Sequence, residues 1–169
     1  GGGCYRPAED ERWPLVSWLV ALLENDDLRG ATGRAPIASF VKGLSPQARA
    51  PFSASLVMCL ADSTDNVRRA CFATFSVLSP AERAPHLDKY LALFSHKNKW
   101  IRVSAIENFG NLAQAERAPH LTAFGELCND ADEYVQSEMA TAVQGLSEPE
   151  QLQLLPQYVS LLSSGTYES

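Results

Sequence analysis

Several things are missing from these 169 residues, and each absence narrows what the chain can be. No apolar run reaches the roughly 18 residues a membrane helix needs, and the N-terminus has no basic region followed by an apolar core, as a secretory signal would. The expectation is an intracellular, cytoplasmic protein with no membrane partner. Sustained two-residue alternation is absent, as are Asn-Gly and Asp-Gly pairs, so the usual signals of strands and tight hairpins are missing. Cysteine is scarce. Cys4, Cys59, Cys71 and Cys128 form no CxxC pair, and the last three sit inside apolar helical patterns, where a reduced thiol behaves as a small hydrophobe. The three histidines, His86, His96 and His120, do not show the spacing of a metal site. The glycines of "GATG" and "GRAP", in a turn of the N-terminal part, lack the lysine of a phosphate loop, and no nucleophile elbow occurs. We therefore expect no catalytic residue, no metal and no cofactor. Basic residues are also outnumbered, 14 Lys and Arg against 20 Asp and Glu, for a net charge of −6. That balance disfavours nucleic acid as a partner.

What is present is ordinary globular composition, 46% hydrophobic and 20% charged, together with a repeat. The word "AERAPHL" stands at 81–87 and returns unchanged at 115–121. Laid against itself at an offset of 34 residues, the chain also aligns Leu44, Leu78, Leu112 and Leu146. Leu22, Leu56, Tyr90, Phe124 and Tyr158 fall in register, as do Val67, Ile101 and Val135. So do Arg34, Arg68 and Arg102, with Gln136 breaking that series. The period gives units at 10–43, 44–77, 78–111 and 112–145, with a partial fifth at 146–163. Residues 1–9 read as a linker or tag-like segment and 164–169 as a C-terminal tail.

Within a unit the apolar spacing is helical. Leu87, Tyr90, Leu91 and Phe94 form one stripe, "SHKNK" interrupts it, and Ile101, Ala105, Ile106 and Phe109 form a second. Each unit thus reads as a helical hairpin. Ser79, Pro80 and Glu82 make a capping box with proline at the first helical position, and Ser45 with Pro46 begins the preceding unit similarly. Pro51, Pro85 and Pro119 fall inside the first helices, where a missing N–H and a clash with the preceding turn predict a kink or restart. Leu87 and Leu121 should begin the buried stripes. Trp13, Pro14 and Trp18 are expected to seal the N-terminal end, and Glu150 to Leu162 to form a last first-helix with no partner helix after it.

These residues resemble the HEAT-repeat family, whose units carry a proline in the first helix, then an Asp, then Val-Arg and an alanine at the start of the second. Here Asp62 precedes "VRRA" at 67–70, "WIRVSA" at 100–105 supplies Ile101, Arg102 and Ala105, and Asp130 stands five residues before Val135. His96 replaces the Asp of the third unit, Gln136 the Arg of the fourth, and Gly33 the Val of the first. Tetratricopeptide repeats share the period, but their Trp, Gly-Tyr and terminal Pro positions are missing. The resemblance implies an all-α fold, an α-solenoid of stacked antiparallel hairpins with about four and a half repeats. In such an array each hairpin buries its apolar face on its neighbours. It also implies second helices on the concave side, with Arg69, Ala73, Val103, Glu107, Ser137 and Thr141 at the inner positions. The chain is either closed by its last helix or part of a longer array.

Counted by unit, the charge is about −1, +1, +2 and −5, with about −3 in the tail from Leu146. The basic turn holds His96, Lys97, Lys99, Trp100 and Arg102, and the turn one repeat later holds Asp130, Asp132 and Glu133. Solvated turns attracting each other is one reading. A ridge that binds another protein is the other, since Trp and Arg are favoured at interface hot spots. HEAT arrays that bind tubulin or scaffold phosphatases use the corresponding turns. The expected function is a non-enzymatic interaction or scaffold module whose partner is another protein. It would bind through His96, Lys97, Lys99, Trp100 and Arg102 on the ridge, or through Arg69 and Glu107 on the concave face. The alternatives are a nucleic-acid-binding HEAT-like module and a HEAT-like enzyme of the DNA-glycosylase or bilin-lyase kind.

Overall fold

The computed structural model describes residues 9–25 and 31–164. Among these every regular element is helical and no strand occurs, so the fold is all-α. No helix among them is long and apolar enough to cross a membrane. Cys4, the tail from 165 and the side chain of Trp13 lie outside what is described. The chain divides into two compact units, one reaching to Val77 and one beginning at Leu78. That division falls on the boundary the 34-residue register sets between the second and third repeats.

The first unit contains α1 (Glu9–Glu24), α2 (Ala31–Lys42), α3 (Pro46–Arg49), α4 (Ser53–Cys59) and α5 (Asp65–Val77). α2 packs along α5, and α1 lies against α2 and α4. Leu23, Val41, Phe52, Leu56, Val67 and Phe75 fill the space between them and are buried. Cys59 and Cys71 are free thiols in this core. The neighbouring Cys59 thiol together with burial pushes the titration of Cys71 far upward, so Cys71 is not a reactive thiolate.

The second unit repeats one order of elements twice. α6 (Pro80–Arg83), a 3₁₀ turn at Ala84–His86, α7 (Leu87–Ala92), a 3₁₀ turn at Leu93–Ser95 and α8 (Lys99–Phe109) come first. α9 (Gln114–Arg117), Ala118–His120, α10 (Leu121–Glu126), Leu127–Asn129 and α11 (Glu133–Gln144) follow, with α12 (Glu148–Ser164) last. Each start lies 34 residues after its counterpart. The core is aromatic: Phe109 stacks on Phe124 with centroids 4.1 Å apart, and Phe94 meets both at 5.6 and 5.7 Å. Tyr90 is fully buried, donates its hydroxyl to Ala105 O at 2.6 Å, and is held in the neutral phenol form by that burial.

The interruptions expected at proline occur. Ala50–Phe52, Ala84–His86 and Ala118–His120 are 3₁₀ turns centred on Pro51, Pro85 and Pro119, each separating a four-residue α segment from the longer helix after it. A proline N has no hydrogen to give the carbonyl one turn back, so the chain tightens there and restarts. α12 has glutamine, Gln153, at this register and runs on without a break, with Pro156 inside it three residues later. Its bounds exceed the expected Glu150 to Leu162. The capping box at Ser79 is complete, with Glu82 N–H donating to the serine Oγ at 3.3 Å and Ser79 N–H to Glu82 Oε2 at 2.8 Å. One repeat later Ala113 has no side-chain acceptor, and half the box remains, Ala113 N–H to Glu116 Oε2 at 2.8 Å.

Two series of arginines cross between successive repeats, and only the one through Arg34 and Arg102 follows the register noted in the sequence. Arg34 reaches Asp62 at 2.9 Å, and Arg102 grips both oxygens of Asp130 at 2.9 Å. The other series runs through the repeated word. Arg83 binds Glu116 through Nε and Nη2 at 3.0 and 2.6 Å, and Arg117 binds Glu150 at 2.8 and 2.9 Å, with each guanidinium also donating to the carbonyl of Leu78 or Leu112. Gln136 and Gln151 hold the next positions in the two series and keep the neutral part of the pattern, bonding Asp130 O and Leu146 O.

Four sequence expectations are corrected. Trp18 is 57% exposed and seals nothing: its helix turns the indole to solvent while Leu23 faces the core. Leu87 is only half-buried, whereas Leu121 is buried as expected. Val103, expected on the inner face, is 5% exposed, because on α8 it lies one turn before the buried Ile106. The stretch read as a turn around Gly33 is helical from Ala31.

Candidate functional site

The turns that lead into α8 and α11 are built alike. In the first, His96 Nδ1 accepts the N–H of Asn98 at 3.0 Å, and Asn98 Oδ1 caps α8 by accepting the N–H of Trp100 at 2.9 Å. In the second, Asp130 Oδ1 accepts the N–H of Asp132 at 2.9 Å, and Asp132 Oδ1 accepts the N–H of Tyr134 at 2.9 Å. Asp62 receives the N–H of Thr64 at 2.8 Å in the same way. A short acceptor two residues before an N–H closes an Asx-type turn, and the imidazole nitrogen of His96 does what the carboxylates of Asp62 and Asp130 do. The departure at His96 therefore preserves the turn.

Because the two caps are in register and α8 packs on α11, the residues in their first turns come together. Trp100 and Tyr134 meet edge to face, with centroids 5.0 Å apart and planes at 62°. Both remain open to solvent, at 46% and 50% exposure. Lys99 Nζ lies 5.4 Å from the Trp100 ring and 3.0 Å from Asp132 Oδ2. The lysine holds the Asp132 carboxyl below its ordinary range. A shallow hollow beside the rings is lined by Lys99, Ala131, Asp132, Glu133, Tyr134 and Ser137.

Most of the charge in these two turns is paired across them. Arg102 is not a free cation: it bonds His96 O in its own turn and Asp130 in the next, with its side chain 14% exposed. Lys99 is paired with Asp132. The basic turn is thus largely neutralised by the acidic one, and the surface the two present together is aromatic, with Lys97 exposed at its edge. His96 is half-buried and occupied within the turn. Glu107 is exposed further along α8 from Trp100. Arg69 belongs to the first unit, where its exposed side chain pairs with Asp65 at 2.7 Å on its own helix. Tyr134 was missed as a site residue, although the 34-residue register that aligns it with Trp100 was in the sequence. Among the described residues no group of three or more His, Cys, Asp or Glu side chains is placed to hold a metal ion.

No protein-family model matches the chain, and no curated protein matches it significantly.

Proposed function

We propose that this chain is a non-enzymatic protein-binding or scaffold module, a HEAT-like α-solenoid of stacked helical hairpins, and that the Trp100 and Tyr134 ridge receives its partner. The observation that carries the reading is the exposed aromatic pair. Two large rings are held 5.0 Å apart at about half exposure on the first turns of adjacent, capped helices. Aromatic side chains on rigid supports supply large contact area with little entropy left to lose, and they dominate binding hot spots. The recurrence of elements at the 34-residue offset supports the repeat class. Nucleic acid is disfavoured by the same geometry, since Lys99, Arg102 and Arg69 are engaged by carboxylates.

The test compares wild type with Trp100→Ala combined with Lys97→Glu, and separately with Tyr134→Ala, in affinity purification from the native cell extract. The proposal expects one partner to be lost from both variants while circular dichroism stays unchanged. Equal recovery of every partner by all three proteins overturns the ridge. A gel shift of a DNA or RNA duplex at low salt, abolished by Arg69→Ala, would replace it with the nucleic-acid reading.

A further inference from the structure

α12 is fixed by one side and open on the other. On its inner side Leu154 is buried against Gly125, so closely that a Cβ on the glycine would lie 2.6 Å from Leu154 Cδ2. Arg117 holds Glu150, Gln151 Nε2 donates to Leu146 O at 2.8 Å, and Gln144 Nε2 donates to the Tyr158 hydroxyl at 3.3 Å. These contacts, spread along the helix, prevent it from rolling. On its outer side Leu152, Leu155, Val159 and Leu162 stand 61%, 47%, 52% and 58% exposed.

The spacing of the four is three, four, three, which is the a and d seam of paired helices. It reads the same from either end. Between Gln151 and Ser164 there is no charged residue, in a chain whose net charge is −6. One repeat earlier, the positions in register with Leu155, Val159 and Leu162 are Leu121 and Gly125 on α10 and Cys128 in the 3₁₀ turn after it; they are buried, and α12 packs on both elements. This face of a repeat is therefore one that a helix covers.

We propose that the outer face of α12 binds the same face of a second copy of this chain, the two helices running antiparallel about a two-fold axis. Reversal of a symmetric seam places Leu155 of one copy against Val159 of the other and Leu152 against Leu162, so every aliphatic meets an aliphatic. This is the self-complementarity a two-fold interface requires. The charge-free flanks let two acidic chains approach without repulsion at the seam. A further repeat in register is the poorer occupant, because Arg83 and Arg117 each take a glutamate from the next repeat and Gln151 has no cation to offer one. The proposal goes beyond the ridge reading and does not depend on it.

A single helix pair covers less than the roughly 800 Å² per partner of a standard interface, so association belongs at micromolar or higher concentrations. Sedimentation velocity of the full chain from about 1 to about 300 µM is expected to show the mass rising from 18.4 kDa toward twice that value. Leu155→Glu with Val159→Glu should remain monomeric throughout with unchanged circular dichroism. In a Cys4→Ser background, mixing Leu155→Cys with Val159→Cys chains should give a disulfide-linked dimer under mild oxidation. A wild type that stays monomeric at the top of the range overturns the proposal. So does a dimer that survives the double glutamate variant, growth beyond dimer, or a dimer without the mixed cross-link.

Discussion

Arg83 and Glu116 face each other across 33 residues of chain with two parallel hydrogen bonds of 3.0 and 2.6 Å, their side chains 4% and 10% exposed. Arg117 and Glu150 repeat the contact. The repeated "AERAPHL" is therefore two halves of different pairs: in its second occurrence the glutamate answers the preceding arginine and the arginine answers the following glutamate. A guanidinium that meets a carboxylate in this bidentate fashion is geometrically selective. Its third bond, to Leu78 O or Leu112 O, also satisfies a carbonyl at the end of the preceding helix.

Removing one partner of such a pair should be far worse than removing both. Arg117→Leu leaves Glu150 buried and unpaired, and should lower stability by about 3–5 kcal/mol. Arg117→Leu with Glu150→Leu should recover much of that loss. Urea unfolding of wild type, both single variants and the double variant measures the cycle, and additive losses would mean the pair is not coupled.

Acid should weaken the fold through the same residue. The Arg117 hydrogen bonds, with those of Ser147, hold the Glu150 carboxyl at about 2, below its ordinary 4.5. A depressed carboxyl pKa contributes stability that is fully present above 4.5 and is lost as pH falls through that value toward 2. For this buried group the loss is on the order of 3 kcal/mol. Unfolding followed at pH 6, 4, 3 and 2 should show a shallower acid slope for Glu150→Gln than for wild type, together with lower stability at pH 6.

His96 should tolerate aspartate better than alanine. His96→Asp keeps an acceptor for Asn98 N–H and should stay within about 0.5 kcal/mol of wild type, whereas His96→Ala leaves that N–H without it and should cost about 1 kcal/mol. Chemical denaturation distinguishes the two. Equal losses would remove the turn-closing role assigned to the imidazole.

Gly125 should resist enlargement. A Cβ there meets Leu154, which is 1% exposed and has no free side to move into. Gly125→Val should cost about 1–3 kcal/mol, although valine is the better helix former of the two. Leu154→Ala in the same chain should relieve part of the penalty, and thermal melts of the single and double variants read the difference.

Trp100 and Tyr134 should be coupled to each other yet dispensable for folding. Each alanine substitution should cost less than about 1.5 kcal/mol, with a coupling of about 0.5–1 kcal/mol between them. Denaturation of the four proteins in a double-mutant cycle measures both, and a loss beyond about 3 kcal/mol for either single substitution would make that residue part of the core.

The sequence by itself determined the helical class, the 34-residue register, the proline interruptions and the caps, because each depends on residues within a turn or two of one another. Ser79 finds Glu82 three residues away whatever the rest of the chain does. The register also held Tyr134 opposite Trp100, and the arginine and glutamate of the repeated word, without showing that either made a pair. Those depend on which side chains from successive repeats come within about 3 Å, a distance set by how α8 meets α11 and how α6 meets α9. Tertiary packing alone decided that the basic turn is neutralised by the acidic one, that Trp18 faces solvent and Val103 does not, and that the outer stripe of α12 is left uncovered. A charge count sums residues regardless of their neighbours, and only packing determines which of them are left to face the solvent.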